Sequence, residues 1–170
     1  MVQLLLIIRN EEKSRAEDGQ KSVPTNYDAA ARRCFMHASQ IEAVFFDISG
    51  TLGEMAGDKF VAFGSTCELL TVMHRVLSLR LGIIANLSNG LTTVKIKQML
   101  IDAQILKFFD PYGFITSLDA MATKPNPHIY HYAAQQMGLA PSQCLYIGSE
   151  KDQVEGACAA GMVGILKYAP

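Results

Sequence analysis

The sequence has no tryptophan, no long hydrophobic run and no excess of charge of either sign. Its 15 lysine and arginine residues balance 16 acidic residues, so the formal net charge is −1. No basic tract provides the phosphate-neutralising face that nucleic-acid binders need, and we expect no nucleic-acid partner. The apolar run at residues 1–8 is too short to span a bilayer and lacks a preceding positive region. We therefore expect neither a signal peptide nor a membrane anchor.

Cysteine is sparse and scattered. The four cysteines, at positions 34, 67, 144 and 158, have no Cys-x-x-Cys spacing. This arrangement indicates neither a zinc cage nor a disulfide framework, and it favours free thiols in a reducing compartment. We therefore expect a cytoplasmic location.

Apolar residues make up 49% of the chain, which is enough to build one compact core. A chain of 170 residues is too short for two full-sized domains. The polar stretch from residue 10 to about residue 25 predicts a loop or linker. We expect residues 1–40 to form an N-terminal appendage of a strand, this linker and a short helix, and residues 41–170 to form the main domain.

The main domain alternates short apolar runs with longer stretches of helical character, which predicts an α/β fold. The predicted class is a three-layer, Rossmann-like open parallel sheet with right-handed crossovers. Ligands of such sheets bind at the carboxyl ends of the strands. The predicted strands are 43–47, 82–87, 113–116, 144–147 and 163–166, and the predicted helices are 65–79, 92–103, 127–137 and 153–160.

Polar residues follow four of the predicted strands. Asp47 ends the first strand near Gly50, and a carboxylate there is either a nucleophile or the start of a turn. The sequence Ser88-Asn89-Gly90 follows the second strand and offers either an anion-binding loop or a helix cap.

Two further segments complete the set. Lys124 is followed by two nearby prolines just before a helix, where it can neutralise a substrate anion or steady a nucleophilic carboxylate. The fourth segment, at residues 145–153, is a strand with a polar, acid-containing loop, which is equally typical of an ordinary strand-to-helix turn.

Together and in this order, these residues resemble the four motifs of the haloacid dehalogenase superfamily of aspartate-nucleophile hydrolases. The resemblance implies that Asp47 is the nucleophile. It implies that Thr51, Ser88 and Asn89 orient the transferred group by hydrogen bonding. It also implies that Lys124 balances the charge on the nucleophile and the substrate.

The resemblance covers residues 41 to about 166, but it departs from the family two residues after the nucleophile. The superfamily's phosphatases carry a second aspartate there as general acid/base, and this chain has Ser49. Losing acid/base assistance typically lowers turnover by about 10²–10⁴-fold. Ser49 occupies the catalytic position of that aspartate. Its backbone carbonyl, which supplies a metal ligand in the family, is still available.

The fourth motif departs as well. The superfamily's phosphatases hold Mg²⁺ with two aspartates, at positions that Ser149 and Gln153 occupy here. Because Mg²⁺ prefers octahedral oxygen ligation that includes carboxylates, the resemblance implies a weakened magnesium site. Its candidate ligands are Asp47, the Ser49 carbonyl, Ser149, Glu150 and Asp152.

Other features are similar to the metal-independent haloacid dehalogenases of the same superfamily. Those enzymes also lack the second aspartate, carry a Leu-Ser-Asn-Gly second motif and have serine in the fourth. Tyr130 matches a tyrosine that they use, so it joins Ser88, Asn89 and Gly90 as a candidate for binding substrate. Packing of Tyr130 against the sheet explains this tyrosine equally well.

The 41 residues from Asp47 to Ser88 must hold a flap, a helix and a strand, so we expect no large cap domain. A capless member leaves its active site open to water. Such members typically act on large substrates such as proteins, or borrow a cap from a partner subunit. We therefore expect a phosphorylated substrate that extends to macromolecules, and an oligomer is compatible with this expectation.

Three functions stay open at this point. The first is a phosphatase-type hydrolase with Asp47 as nucleophile and a weakened magnesium site. The second is a non-catalytic binding or scaffold module, which Ser49, Ser149 and Gln153 favour. The third is a metal-independent, haloacid dehalogenase-type hydrolase that shares the Asp47 chemistry.

Overall fold

The computed structural model of the chain describes residues 41–57, 59–87 and 90–167. The expected appendage at residues 1–40 lies outside these residues, so its division from the main domain stays a prediction. Ser88 and Asn89 also lie outside them.

Seven strands are present in the described part of the chain. Five of them form one parallel sheet in the order β5-β4-β1-β6-β7, and β2 pairs with β3 in an antiparallel hairpin. The strands are β1 (Ala43–Phe46), β2 (Gly53–Ala56), β3 (Lys59–Ala62), β4 (Arg80–Ala85), β5 (Phe114–Thr116), β6 (Cys144–Gly148) and β7 (Val163–Leu166).

Within the described ranges, four α-helices connect the strands. The first continues directly into one wide helical turn, and three short 3-10 turns precede β5 and β6. The helices are α1 (Thr66–Thr71), α2 (Thr93–Asp102), α3 (Pro127–Gln136) and α4 (Lys151–Ala159), the wide turn is Val72–Val76, and the 3-10 turns are Leu106–Phe108, Pro111–Gly113 and Pro141–Gln143. The predicted α/β class with a parallel sheet is confirmed.

Both faces of the sheet are covered, which explains why its strands are apolar without alternation. In β1, all four residues are buried. Val44 and Phe46 enter the core on one face with residues of α1 and α2, whereas Ala43 and Phe45 enter the core on the other face with residues of α3 and α4. Gly82 keeps β4 close to its neighbours, because a Cβ there would lie 2.5 Å from the Phe45 ring and 2.8 Å from the Gly113 carbonyl oxygen.

The carboxyl ends of β1, β4 and β6 meet at one edge of the sheet. Phe46 in β1 is paired with Ile83 in β4 and with Ile147 in β6. The loop that follows β5 reaches the same edge and leads into α3, whose first turn is capped by the Asn126 side chain accepting from the backbone N–H of His128 at 3.0 Å. This architecture brings the residues after all of these strands together.

The expected flap between Asp47 and the first helix is a β-hairpin of β2 and β3, which the sequence analysis does not predict. It lies directly after the first strand's polar loop and is followed by α1. Among the described residues, no helix is both long enough and apolar enough to cross a bilayer.

Candidate active site

An ion pair joins the residues that end β1 and precede α3. The Lys124 ammonium donates to Asp47 Oδ1 at 2.5 Å. The Lys124 side chain is 1% exposed and that of Asp47 is 14% exposed. Burial lowers the pKa of Lys124, and the charge and hydrogen bond of Asp47 oppose that shift. A nearly buried carboxylate therefore lies at the strand tip with a cation fixed against it.

Asn86, the first residue after β4, holds Lys124 in place through its backbone. The Asn86 amide nitrogen donates to the Lys124 carbonyl at 3.0 Å, and the Lys124 N–H donates to Asn86 Oδ1 at 2.8 Å. Both ends of the amide are thus used. These two hydrogen bonds fix the backbone of Lys124, and with it the base of the lysine side chain, although the two residues are 38 positions apart in the chain.

Two tyrosines complete the buried side of the ion pair. Lys124 Nζ also donates to the Tyr146 hydroxyl at 3.2 Å, and that hydroxyl donates to Gln153 Oε1 at 3.1 Å. The Tyr130 hydroxyl donates to the Gln153 carbonyl at 2.6 Å, and the two tyrosine rings meet edge to face at 5.1 Å. Burial raises the pKa of both tyrosines, so both hydroxyls stay protonated donors.

Tyr130 therefore lies within the fold, where its ring and hydroxyl both have protein partners. It is fully buried in the core between α3 and β6. This placement matches the alternative of packing against the sheet, and its predicted contact with substrate is untested.

The loop after Asp47 carries two hydroxyls in different environments. Ser49 Oγ donates to Glu54 Oε2 at 3.2 Å, on the exposed side of the hairpin. Thr51 is 4% exposed, and its Oγ1 has no hydrogen-bond partner among the described residues. An unpaired buried hydroxyl costs free energy, and the predicted contact of Thr51 with the transferred group stays a prediction.

The positions that would hold magnesium are engaged in other bonds. Ser149 Oγ donates to the Ser49 carbonyl oxygen at 3.2 Å. That hydroxyl lies so close to Gly50, which has φ +72°, that a Cβ on the glycine would lie 2.4 Å from it. Gln153 Oε1 accepts from Tyr146. The expected carbonyl ligand and both positions of the missing aspartates thus bond to the protein itself.

The two acids that could rescue a metal site lie at the start of α4. Glu150 is exposed at the start of α4, and exposed Asp152 accepts from the Gln153 N–H at 2.8 Å. Both are close enough to raise the pKa of Lys124. No group of three or more His, Cys, Asp or Glu side chains in the described ranges could hold a metal ion. Mg²⁺ is usually held by one or two carboxylates, but here Asp47 is paired with Lys124 and the two aspartate positions carry Ser149 and Gln153, so the donors present do not fit it.

The loop after β4 is described only in part. Gly90 is exposed with φ +84°, a conformation that favours glycine. The cap of α2 is Thr92, whose hydroxyl accepts from the Lys95 N–H at 3.2 Å. The alternative that the Ser88-Asn89-Gly90 segment caps this helix is therefore wrong, and its predicted binding of an anion is untested.

A cavity of about 190 Å³ opens beside Asp47. Asp47 and Ser49 form part of its wall, and residues of the hairpin, of α2 and of β4 and the loop after it also line it. A group attached to an atom at Asp47 could therefore extend into this space.

A sequence model described as haloacid dehalogenase-like hydrolase matches residues 27–166. The chain is 28% identical over 109 residues to phosphoglycolate phosphatase of Salmonella typhimurium, covering 64% of this chain and 40% of that protein. It is 38% identical over 88 residues to glyceraldehyde 3-phosphate phosphatase of Methanothermobacter thermautotrophicus, covering 51% of this chain and 36% of that protein. The chain thus spans less than half the length of these curated relatives.

Solved structures share the fold. A predicted phosphoglycolate phosphatase from Haemophilus somnus superposes with a TM-score of 0.60 at 15% identity, covering 72% of this chain and 83% of that one. The L-2-haloacid dehalogenase of Xanthobacter autotrophicus, with chloropropionic acid covalently bound, also superposes with a TM-score of 0.60 at 15% identity, covering 72% and 75%. At these identities the superpositions support the fold alone.

Proposed function

The chain belongs to the haloacid dehalogenase-like hydrolase family, and on that premise we propose that it is a phosphatase-type hydrolase with Asp47 as its nucleophile. The observation that carries the proposal is the ion pair between Asp47 Oδ1 and the buried Lys124 ammonium at the carboxyl end of β1. A cation fixed there without water reorganisation stabilises negative charge that gathers on the nucleophile and the transferred group.

The proposed reaction has two steps. Lys124 uses Oδ1, so Oδ2 of Asp47 attacks phosphorus while the phosphorus–oxygen bond of the ester breaks and its electron pair leaves with the oxygen. The leaving oxygen takes its proton from solvent water. A second water then attacks phosphorus and loses a proton to solvent while the bond between phosphorus and Oδ2 breaks, which releases orthophosphate and restores the carboxylate. Thr51 supplies a hydroxyl for a phosphoryl oxygen, and the Ser88-Asn89-Gly90 segment supplies further donors, as in the family's second motif.

Magnesium has no step in this proposal. Phosphatases of the superfamily use the ion to neutralise the phosphoryl group, but here the Ser49 carbonyl and Gln153 are bonded within the protein. The site therefore relies on Lys124 and on neutral donors. This dependence makes turnover slow compared with a complete phosphatase.

The test is hydrolysis of a generic aryl phosphate and of acetyl phosphate by the full chain and by two variants. Asp47→Asn removes the nucleophile, and Asp102→Asn is the matched control, because Asp102 is an exposed aspartate at the end of α2. We expect turnover by the wild type and by Asp102→Asn, and none by Asp47→Asn. Equal background rates for all three proteins would reject the phosphatase.

A non-catalytic module is the second candidate, because Ser49 offers no carboxylic acid and the metal positions are bonded internally. It predicts binding of orthophosphate without turnover of either ester. The dehalogenase-type hydrolase shares the nucleophile, and halide release from a 2-haloacid separates it from the phosphatase. The expected macromolecular substrate, partner subunit and cytoplasmic location stay predictions.

A further inference from the structure

We propose that the substrate is the phosphate monoester of a small, apolar, phenol-like alcohol, with its ring bound in the cavity beside Asp47. This inference rests on the proposed phosphatase function. It names the group that leaves, which the family relationship does not specify.

The cavity has the size and lining for an aromatic ring. Its volume is about 190 Å³, and an apolar cavity of about 150 Å³ is known to bind benzene. Its apolar walls come from the loop after β1, the hairpin and the inner side of α2. They include Ile48, Met55, Phe60, Ile96, Met99 and Leu100.

The polar groups in the described part of the wall already have partners. Both the nitrogen and the oxygen of the Asn86 side-chain amide form hydrogen bonds with the Lys124 backbone. Ser49 donates to Glu54, and Asp47 accepts from Lys124. Apart from the Asp47 oxygen that attacks phosphorus, few groups in this part of the wall could replace the bonds to water that a substrate rich in hydroxyls would lose, whereas a ring has none to lose.

The chemistry at position 49 points to the same class of substrate. A leaving alcohol needs a proton unless its anion is stable, and Ser49 supplies no carboxylic proton. A phenol ionises with a pKa of about 10, whereas the pKa of an unactivated aliphatic hydroxyl is far higher, so its anion is a much poorer leaving group. A phenolate can therefore depart with the electron pair of the broken phosphorus–oxygen bond and take its proton from water afterwards.

Three esters separate the two parts of the proposal. Phenyl phosphate has the ring and the stable leaving anion, benzyl phosphate has the ring alone, and glycerol 3-phosphate has neither. We expect phenyl and benzyl phosphate to share a low KM and glycerol 3-phosphate to have a higher one. We expect kcat for phenyl phosphate to exceed that for benzyl phosphate by about 100-fold, which is the usual scale of missing acid assistance. Equal kcat/KM for all three esters would overturn the inference while leaving the phosphatase intact.

If no ester turns over, the proposed phosphatase function is rejected. A binding measurement still tests whether the cavity binds a ring. Calorimetry compares phenylphosphonate with methylphosphonate, neither of which has an ester bond to break. Tighter binding of phenylphosphonate by about tenfold or more supports the ring site, and equal binding overturns it.

Two variants on one helix locate the ring. Met99→Gln keeps the side-chain length but makes the cavity wall polar, and it should remove most of the preference for phenylphosphonate. Val94→Gln is the control, because Val94 lies on the same helix and is 77% exposed. An undiminished preference in folded Met99→Gln would overturn the assignment of this cavity.

Discussion

The hydroxyl of Ser149 donates a hydrogen bond of 3.2 Å to the backbone carbonyl of Ser49. This bond links the loop after β1 to the loop after β6, 100 residues further along the chain. The superfamily's phosphatases are expected to join the same two loops through a metal ion. In this chain a neutral side chain makes the connection directly.

Removing this link should loosen the site modestly. We expect Ser149→Ala to lower the free energy of unfolding by about 0.5–1.5 kcal/mol, the usual net value of one hydrogen bond. Denaturant titration measures the change, and Ser142→Ala is the control because Ser142 is an exposed serine of the turn before β6. Equal stabilities of the two variants would mean that the bond contributes nothing.

Magnesium should not change the behaviour of the wild-type site. We expect the affinity for orthophosphate, measured by calorimetry, to be the same with EDTA and with millimolar Mg²⁺. The double variant Ser149→Asp, Gln153→Asp restores two carboxylates and should acquire measurable Mg²⁺ binding. Tight Mg²⁺ binding by the wild type would contradict our interpretation of the donor set.

Tyr146 should act as a positioning residue for Lys124. Tyr146→Phe removes an acceptor from the ammonium and leaves Gln153 Oε1 without its donor, so we expect a loss of about 1–2 kcal/mol in the free energy of unfolding. We expect kcat to fall while KM changes little, because the lysine is displaced but not removed. Tyr112→Phe is the control, since Tyr112 is 71% exposed. A variant that loses stability with an unchanged kcat would make Tyr146 purely structural.

Alkaline pH should separate activity from stability. Burial lowers the pKa of Lys124 from its ordinary 10.5, so turnover should fall as pH rises through this lowered value. Between the lowered value and 10.5 the unfolded chain binds more protons than the folded one, and the stability contributed by this group therefore rises with pH. Lys167, whose pKa burial also lowers, contributes with the same sign.

Profiles of kcat/KM and of the free energy of unfolding, recorded over the same alkaline range, test this prediction. Activity that persists unchanged up to pH 10.5 would show that the neutral and charged forms of Lys124 serve equally well. That result would remove the cation from the proposed mechanism.

The sequence predicted the parallel sheet because its strands are continuous apolar runs that end in polar residues. It also predicted Asp47 and Lys124 as candidate residues, since each follows a strand or precedes a helix at the functional edge. The ion pair between them joins positions 77 residues apart. The contact between the two side chains depends on the register of the sheet and on the path of the loop before α3. Residue patterns specify neither of these.

Three residues of the site were missed for identifiable reasons. The sequence predicts a strand over 82–87 that includes Asn86, whereas β4 ends at Ala85. The Asn86 side chain can therefore form its hydrogen bonds with the Lys124 backbone. In the sequence Tyr146 is an ordinary residue of an apolar strand. Its hydroxyl contributes to the site only because the fold places it against Lys124 and Gln153. Glu54 contacts Ser49 because of the hairpin, which short and partly exposed strands did not reveal.

The most direct test of the central claim is acid-quenched mass spectrometry of the protein during turnover of phenyl phosphate. Our account predicts a phosphoryl group on the peptide that contains Asp47, present in the wild type and in Asp102→Asn and absent from Asp47→Asn. Turnover without any phosphorylated form of that peptide, or with the phosphoryl group on another residue, would contradict the assignment of Asp47 as the nucleophile.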